Sequence, residues 1–182
     1  MSRLIERLLI VAASVAVAIG VIGLLSGGLL AGRDSPGVTG VDGGLGVQFA
    51  DQGDTRLRPG ELEPVYDSDP PTSGPHVPVA VRRDRETLSN DQLLSALQVG
   101  NVVMMYGTPA PPPGLAAAAR AAAPPFSPAL AATGQTIILA HRDGIRGVVA
   151  LAWMHMLRAG SVGEPALRTF AKFWLGRGAA AG

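Results

Sequence analysis

The sequence predicts an α+β domain, a small and mostly antiparallel sheet with packed helices, preceded by one N-terminal transmembrane helix. Three observations carry this expectation. Leu8 to Gly32 is uncharged and rich in Leu, Ile, Val and Ala, and it exceeds the roughly 20 residues that cross a bilayer core as a helix. Ser89, followed three residues later by Gln92 and then by Leu93, Leu94 and Leu97, is a capping box opening an amphipathic helix. Two apolar runs within Gln135–Leu157 flank Asp143-Gly144, the preferred residues of a two-residue hairpin turn.

Residues 1–7 are read as a short cytoplasmic N-terminus and residues 8–32 as the anchor. A cleaved signal peptide is the rival, because Arg3 and Arg7 precede the apolar run and Ser26-Gly27-Gly28 follows it. The apolar cores of signals are shorter, usually about 7–15 residues, which favours an uncleaved helix. Arg3 and Arg7 against a lone Arg33 place the N-terminus in the cytoplasm and the rest outside, periplasmic or at the cell surface. Residues 33–60, rich in Gly, Asp and Arg, are expected to form a flexible linker. Gly43-Gly44-Leu45-Gly46 lacks the spacing of a phosphate loop, so no nucleotide is expected.

The extracytoplasmic domain is assigned to residues 61–176. Arg82, Arg83 and Arg85 alternate with Asp84 and Glu86 as a self-neutralising solvated face. Gly100 closes the Ser89 helix. Val102–Tyr106 is an apolar, β-branched run and hence a buried strand. Gly107–Gly114 is a proline-rich loop, and Leu115–Ala123 an alanine-rich helix stopped by Pro124-Pro125. A last helix begins near Pro165, with Leu167, Phe170, Ala171 and Trp174 on one face. Trp174 beside Lys172 and Arg177 allows membrane-surface contact, with core packing the preferred reading. Residues 177–182 are expected to be a disordered tail.

Composition removes several function classes. Lys+Arg is 15 against Asp+Glu 14, so no basic field exists to gather nucleic acid. There is no cysteine, which excludes disulfides, thiolate metal sites and thiol catalysis.

The most unusual segment is Pro70-Pro71-Thr72-Ser73-Gly74-Pro75-His76, with Pro78 just beyond. Each proline fixes its own φ and pushes the residue before it into extended conformation. The result is a stiff strap holding His76 in one place. Pro71, Thr72, Ser73, Gly74, Pro75 and His76 are the candidate binding or structural site. The alternatives for His76 are a metal ligand and a brace that hydrogen-bonds a backbone carbonyl, with the brace preferred.

Three segments together resemble a bacterial envelope family, domain of unknown function 3105. They are Tyr66–Val77, Leu94–Tyr106 and Ala152-Trp153, with the Pro-Pro-Thr-Ser-Gly-Pro-His segment the most specific. The resemblance implies an N-terminal membrane anchor and one domain. Relatives commonly carry His-x-Leu-Glu-His-Gly where this sequence has Ser95-Ala96-Leu97-Gln98-Val99-Gly100. Two histidines four apart on a helix share a face, and with the strap histidine they would hold a metal. Ser95, Gln98 and Val99 replace both histidines and the glutamate, so the resemblance implies that such a site is lost here.

The remaining histidines, His76, His141 and His155, do not rebuild it. If Asp143-Gly144 is a two-residue turn, Arg142 pairs with Ile145 and His141 with Arg146. His155 then lies nine residues beyond Arg146, on the order of 30 Å away. Met154-His155-Met156 suits copper in ligand type, but alternation along a strand sends the histidine away from both methionines. It likewise separates Met104 from Met105. Asp67, Asp69, Ser73 and His76 supply the letters of a hydrolytic triad, but a stiff strap does not bring them into line. No catalytic residue is assigned.

The expected function is therefore a non-enzymatic, single-pass envelope protein, held in the cell membrane by its N-terminal helix and acting through an envelope protein partner. The alternatives are a copper- or zinc-binding envelope protein using His76 and, with least support, a hydrolase.

Overall fold

In the computed structural model, which describes residues 45–179, the strand-forming runs make one sheet. The strands are β1 (Val47–Gln48), β2 (Glu86–Thr87), β3 (Val102–Tyr106), β4 (Ile137–His141), β5 (Val148–Ala152) and β6 (His155–Ala159). The helices are α1 (Asn90–Gln98), α2 (Leu115–Arg120), α3 (Pro128–Ala132) and α4 (Pro165–Trp174). The sheet runs β1-β6-β5-β3-β4-β2. Among these residues no helix is long and apolar enough to cross a membrane; the expected anchor, residues 8–32, lies outside the described residues.

The α+β class holds, but the sheet is mixed. The pairs β1–β6, β6–β5 and β5–β3 are antiparallel, whereas β3–β4 and β4–β2 are parallel. Strands β3 and β5 are buried along their whole length, because helices cover both faces. That is why they read as unbroken apolar runs rather than as alternating ones. One face carries Val103, Met105, Ile138, Val149 and Leu151 against Leu93, Leu94 and Leu97 of α1. The other carries Met104, Tyr106, Leu139 and Ala150 against Leu115 of α2 and Leu167, Phe170 and Ala171 of α4. The α1 and α4 stripes therefore fill opposite sides of the sheet. The Ser89 capping box is present: its hydroxyl accepts from Gln92 N–H, and the Gln92 amide oxygen accepts from Ser89 N–H.

The hairpin at Asp143-Gly144 does not form. β4 and β5 are not neighbours; β3 lies between them, so residues 142–147 cross the end of β3. Arg142 N–H donates to Tyr106 O (3.0 Å) as the crossing begins. Gly107 lets it pass, because a Cβ there would strike the Ile145 carbonyl. The hairpin is instead β5–β6, with Ala152 opposite His155 and only Trp153-Met154 between them. Met154 takes φ 62°, a conformation that usually selects glycine, so the sequence carried no turn signal here. It is clamped from both sides: Met154 N–H donates to Thr72 O (3.0 Å), and Phe49 N–H donates to Met154 O (2.8 Å).

Two segments expected to lie outside the domain are part of it. Val47 and Gln48 pair with Met156 and His155, and Phe49 is buried, so the chain from residue 45 to residue 60 is not a free linker. Gly178 abuts Gln98 O, and Ala179 packs against the core, so residues 177–179 are not a loose tail. The alternating Arg/Asp segment also builds structure. Asp84 Oδ1 accepts from Leu139 N–H (2.8 Å) and Arg85 N–H donates to Leu139 O (2.8 Å), docking edge strand β2.

Asn101 joins three elements from a fully buried position. Its Nδ2 donates to Ala96 O (3.1 Å) and Ala131 O (2.7 Å), and its Oδ1 accepts from Thr136 N–H (3.3 Å). Replacing Asn101 by Ala strands one buried donor and weakens two buried carbonyls. It should destabilise the fold by about 3 kcal/mol, measured by chemical denaturation against wild type.

Candidate functional site

The strap is an internal element. Pro70 to Gly74 and His76 are buried, and Thr72, Ser73 and His76 are fully so. Burying so polar a segment is tolerable only if its polar groups are paired, and most of them are. The strap runs parallel to residues 53–57: Gly74 N–H donates to Gly53 O (2.9 Å), His76 N–H to Thr55 O (3.1 Å), and Leu57 N–H to His76 O (2.9 Å). Ser73 Oγ donates to Ala50 O (3.1 Å) and accepts from Gln52 N–H (3.1 Å). The segment assigned to a linker is thus the strap's pairing partner.

Side chains from distant elements fix both ends. At the start, Asp69 precedes a cis peptide bond to Pro70. Its carboxylate accepts from Arg142 Nη2 (2.6 Å) and its carbonyl from Arg158 Nη2 (2.7 Å). At the other end, Asp91 and Ser95 of α1 accept from the Val77 and Val79 N–H groups (2.8 and 2.9 Å). The Tyr66 hydroxyl donates to Pro75 O (2.9 Å), and its ring lies where a Cβ on Gly74 would fall. Burial, helped by the Glu63 and Asp91 carboxylates, pushes the Tyr66 phenol up to about 12, so it remains a donor. Burial also pushes the Asp67 carboxyl up, against backbone N–H groups of Asp67 and Ala50 that favour its ionised form.

His76 is the least accessible titratable group of the strap. Its Nδ1 lies 2.9 Å from Gly74 O, and a carbonyl oxygen only accepts, so Nδ1 carries the proton. Its Nε2 is buried without a partner among the described residues, and the Trp153 ring centroid is 6.5 Å away. A histidine with Nδ1–H held by a carbonyl is oriented as metal ligands are. The other ligands do not gather around it, and among the described residues no three His, Asp or Glu side chains are placed to hold a metal ion.

The remaining candidates are dispersed. His141 contacts Thr87 Oγ1 (3.3 Å) and Asp143 (3.5 Å). His155 gives Nδ1–H to Trp153 O (2.8 Å) and stacks on Trp174 at 3.7 Å. Because the chain reverses at Trp153-Met154, the extended 30 Å path from His141 to His155 does not exist. Met154 and Met156 pack into the core on the α1 side of the sheet, while His155 lies against Trp174, which borders the opposite core. Met104 and Met105 likewise face opposite cores. Ser73 spends its hydroxyl on Ala50 and Gln52, and Asp69 is engaged by Arg142, so Asp67, Asp69, Ser73 and His76 do not align as a triad.

The positions where the resemblance puts histidines do other work. Ser95 ties the strap to α1, Gln98 Nε2 donates to Asp54 (3.0 Å), and Val99 ends the helix largely exposed. Sequence reasoning missed Arg142, Arg158, Asp91 and Gln52 as strap partners. They are far from the strap in the chain, and no local pattern marks them.

The fold and strap define a class: an α+β domain whose proline-rich strap is sewn into one face of a mixed sheet. The chain belongs to the family described as protein of unknown function (DUF3105), whose model matches residues 62–180. No curated protein and no solved structure matches it.

Burial holds the His155 imidazole below its ordinary 6.5, with the Trp153 carbonyl opposing in part. The unfolded chain therefore takes up a proton near 6.5 that the folded chain refuses. Stability falls as pH drops through 6.5, and the loss levels off below the depressed folded value. Denaturation at about pH 7.5 and about pH 5.5 should show this decline in wild type and a smaller one in His155→Phe, which keeps a ring on Trp174.

Proposed function

We propose that the chain is a single-pass envelope protein, anchored by residues 8–32, whose extracytoplasmic domain acts through non-enzymatic contacts with an envelope partner. One observation carries the non-enzymatic reading. The strap, the chain's most distinctive segment, turns its Ser, Thr and His side chains inward, and Ser73 and His76 Nδ1 hydrogen-bond backbone carbonyls. It braces residues 50–57 and the Trp153-Met154 turn rather than offering groups to a substrate. The uncharged length of residues 8–32 supports the anchor, and Arg3 and Arg7 support the orientation.

A second reading, copper or zinc binding at His76, is favoured by the oriented and unpartnered Nε2. The two readings separate on one pair of proteins, the full chain and His76→Ala, purified without chelator and titrated with copper and zinc. On the brace reading the variant loses about 2–4 kcal/mol of stability and metal content does not change. Stoichiometric metal in wild type that disappears in a folded His76→Ala protein would establish the second reading instead.

A further inference from the structure

We infer that the exposed face of α4 around Phe173 and Trp174 is a docking surface for an anionic lipid bilayer. This deepens the anchored reading and rests on it. Arg168, Lys172 and Phe173 are exposed on α4 and Arg177 just beyond its end. Arg168 and Lys172, four residues apart, share one side of the helix, and the chain past Trp174 returns Arg177 to Phe173. None of the three cations is in an ion pair among the described residues. The acid at the helix start, Glu164, has its Oε1 committed to the Gly160 and Ser161 N–H groups (2.7 and 3.1 Å). The aromatic part is ordered by contact. Phe173 is 37% exposed, packs edge-on against Trp174 at 4.8 Å, and lies beneath the Arg177 guanidinium at 4.1 Å. A partly exposed Trp-Phe pair with one cation on its ring and two more exposed on the same helix is the composition of an interfacial surface, where the rings sit at headgroup depth and the charges meet phosphates.

What selects a membrane as the occupant is where the chain comes in. Trp174 Nε1 donates to Leu45 O (2.9 Å), and Leu45 is the first described residue. Only residues 33–44 separate it from the apolar stretch that ends at Gly32, a reach of at most about 40 Å when fully extended. The tether therefore starts from the aromatic end of α4 itself. An anchored domain holds this face within reach of the bilayer, at a high local lipid concentration.

The chain has two tryptophans, and Trp153 is buried, so Trp174 reports on contact. The full chain is reconstituted into phosphatidylcholine vesicles with and without phosphatidylglycerol, each containing a headgroup-labelled quenching lipid. Membrane retention is checked separately by alkaline extraction. We expect Trp174 emission to be quenched in the anionic vesicles, much less so in phosphatidylcholine alone. Quenching should be lost in a triple Arg168→Glu, Lys172→Glu, Arg177→Glu variant and at high salt. The quenched component is assigned by its loss in Trp174→Phe. A retained protein whose Trp174 is equally unquenched in both vesicles overturns the proposal while leaving the anchor intact. Release by alkaline extraction overturns the anchor. In that case the released full chain is mixed with the same vesicles: co-sedimentation with the anionic ones, weakened by at least about five-fold for each cation replaced by Glu, supports the surface, and its absence overturns it.

Discussion

A polar, proline-rich segment is buried in this domain, and that constraint organises the architecture around it. An unpaired buried peptide group or hydroxyl costs about 1–3 kcal/mol, so the strap can occupy the interior only where partners meet it. They come from every side. Residues 53–57 pair with its backbone, Ala50 and Gln52 take its serine, Met154 donates to its Thr72 carbonyl, and α1 receives its exit through Asp91 and Ser95. Proline lowers the entropy lost in ordering such a segment, because its φ is already fixed in the unfolded chain. A strap of this composition is therefore well suited to a structural role. The histidine fits the same logic, its Nδ1 proton being held by the Gly74 carbonyl two residues earlier.

The strap also explains the strained corner of the sheet. Met154 sits at φ 62° without being glycine, at a cost of order 1 kcal/mol. Hydrogen bonds to Thr72 and Phe49 hold it there. The β5–β6 hairpin, the first strand and the strap thus converge on one residue. On the opposite face, α2 and α4 cover the sheet with alanine and aromatic packing, and the end of α4 receives Leu45 through the Trp174 indole. The two faces serve different purposes: one fixes the strap, and the other brings the incoming chain to an aromatic, cationic surface.

Elements whose determinants are local were legible in the sequence. The Ser89 capping box, the Val102–Tyr106 strand and the Pro165 helix fall where their residues place them. Elements decided by distant neighbours were not. Asp143-Gly144 has the chemistry of a tight hairpin, but β3 already occupies the place beside β4, so the same residues become part of a crossing loop. The true hairpin turn, Trp153-Met154, is apolar because it faces the core, and so it merged with its strands into a single run. Val47-Gln48 and Glu86-Thr87 are too short to show a period of two. The strap was conspicuous, yet its burial was not, because its partners Arg142 and Arg158 lie 73 and 89 residues from Asp69.

The account stands on the strap being a buried element whose Gly74 and His76 amides are paired with the chain beside it, and amide hydrogen exchange on the native protein reads this directly. The Gly74 and His76 amides, bonded to Gly53 O and Thr55 O, should exchange as slowly as those of Met104 and Met105 in β3, through global unfolding alone. Exchange at these two positions orders of magnitude faster than in β3 would show a strap that opens independently of the core. A strap of that kind could present His76 to a ligand, and the brace account would be contradicted.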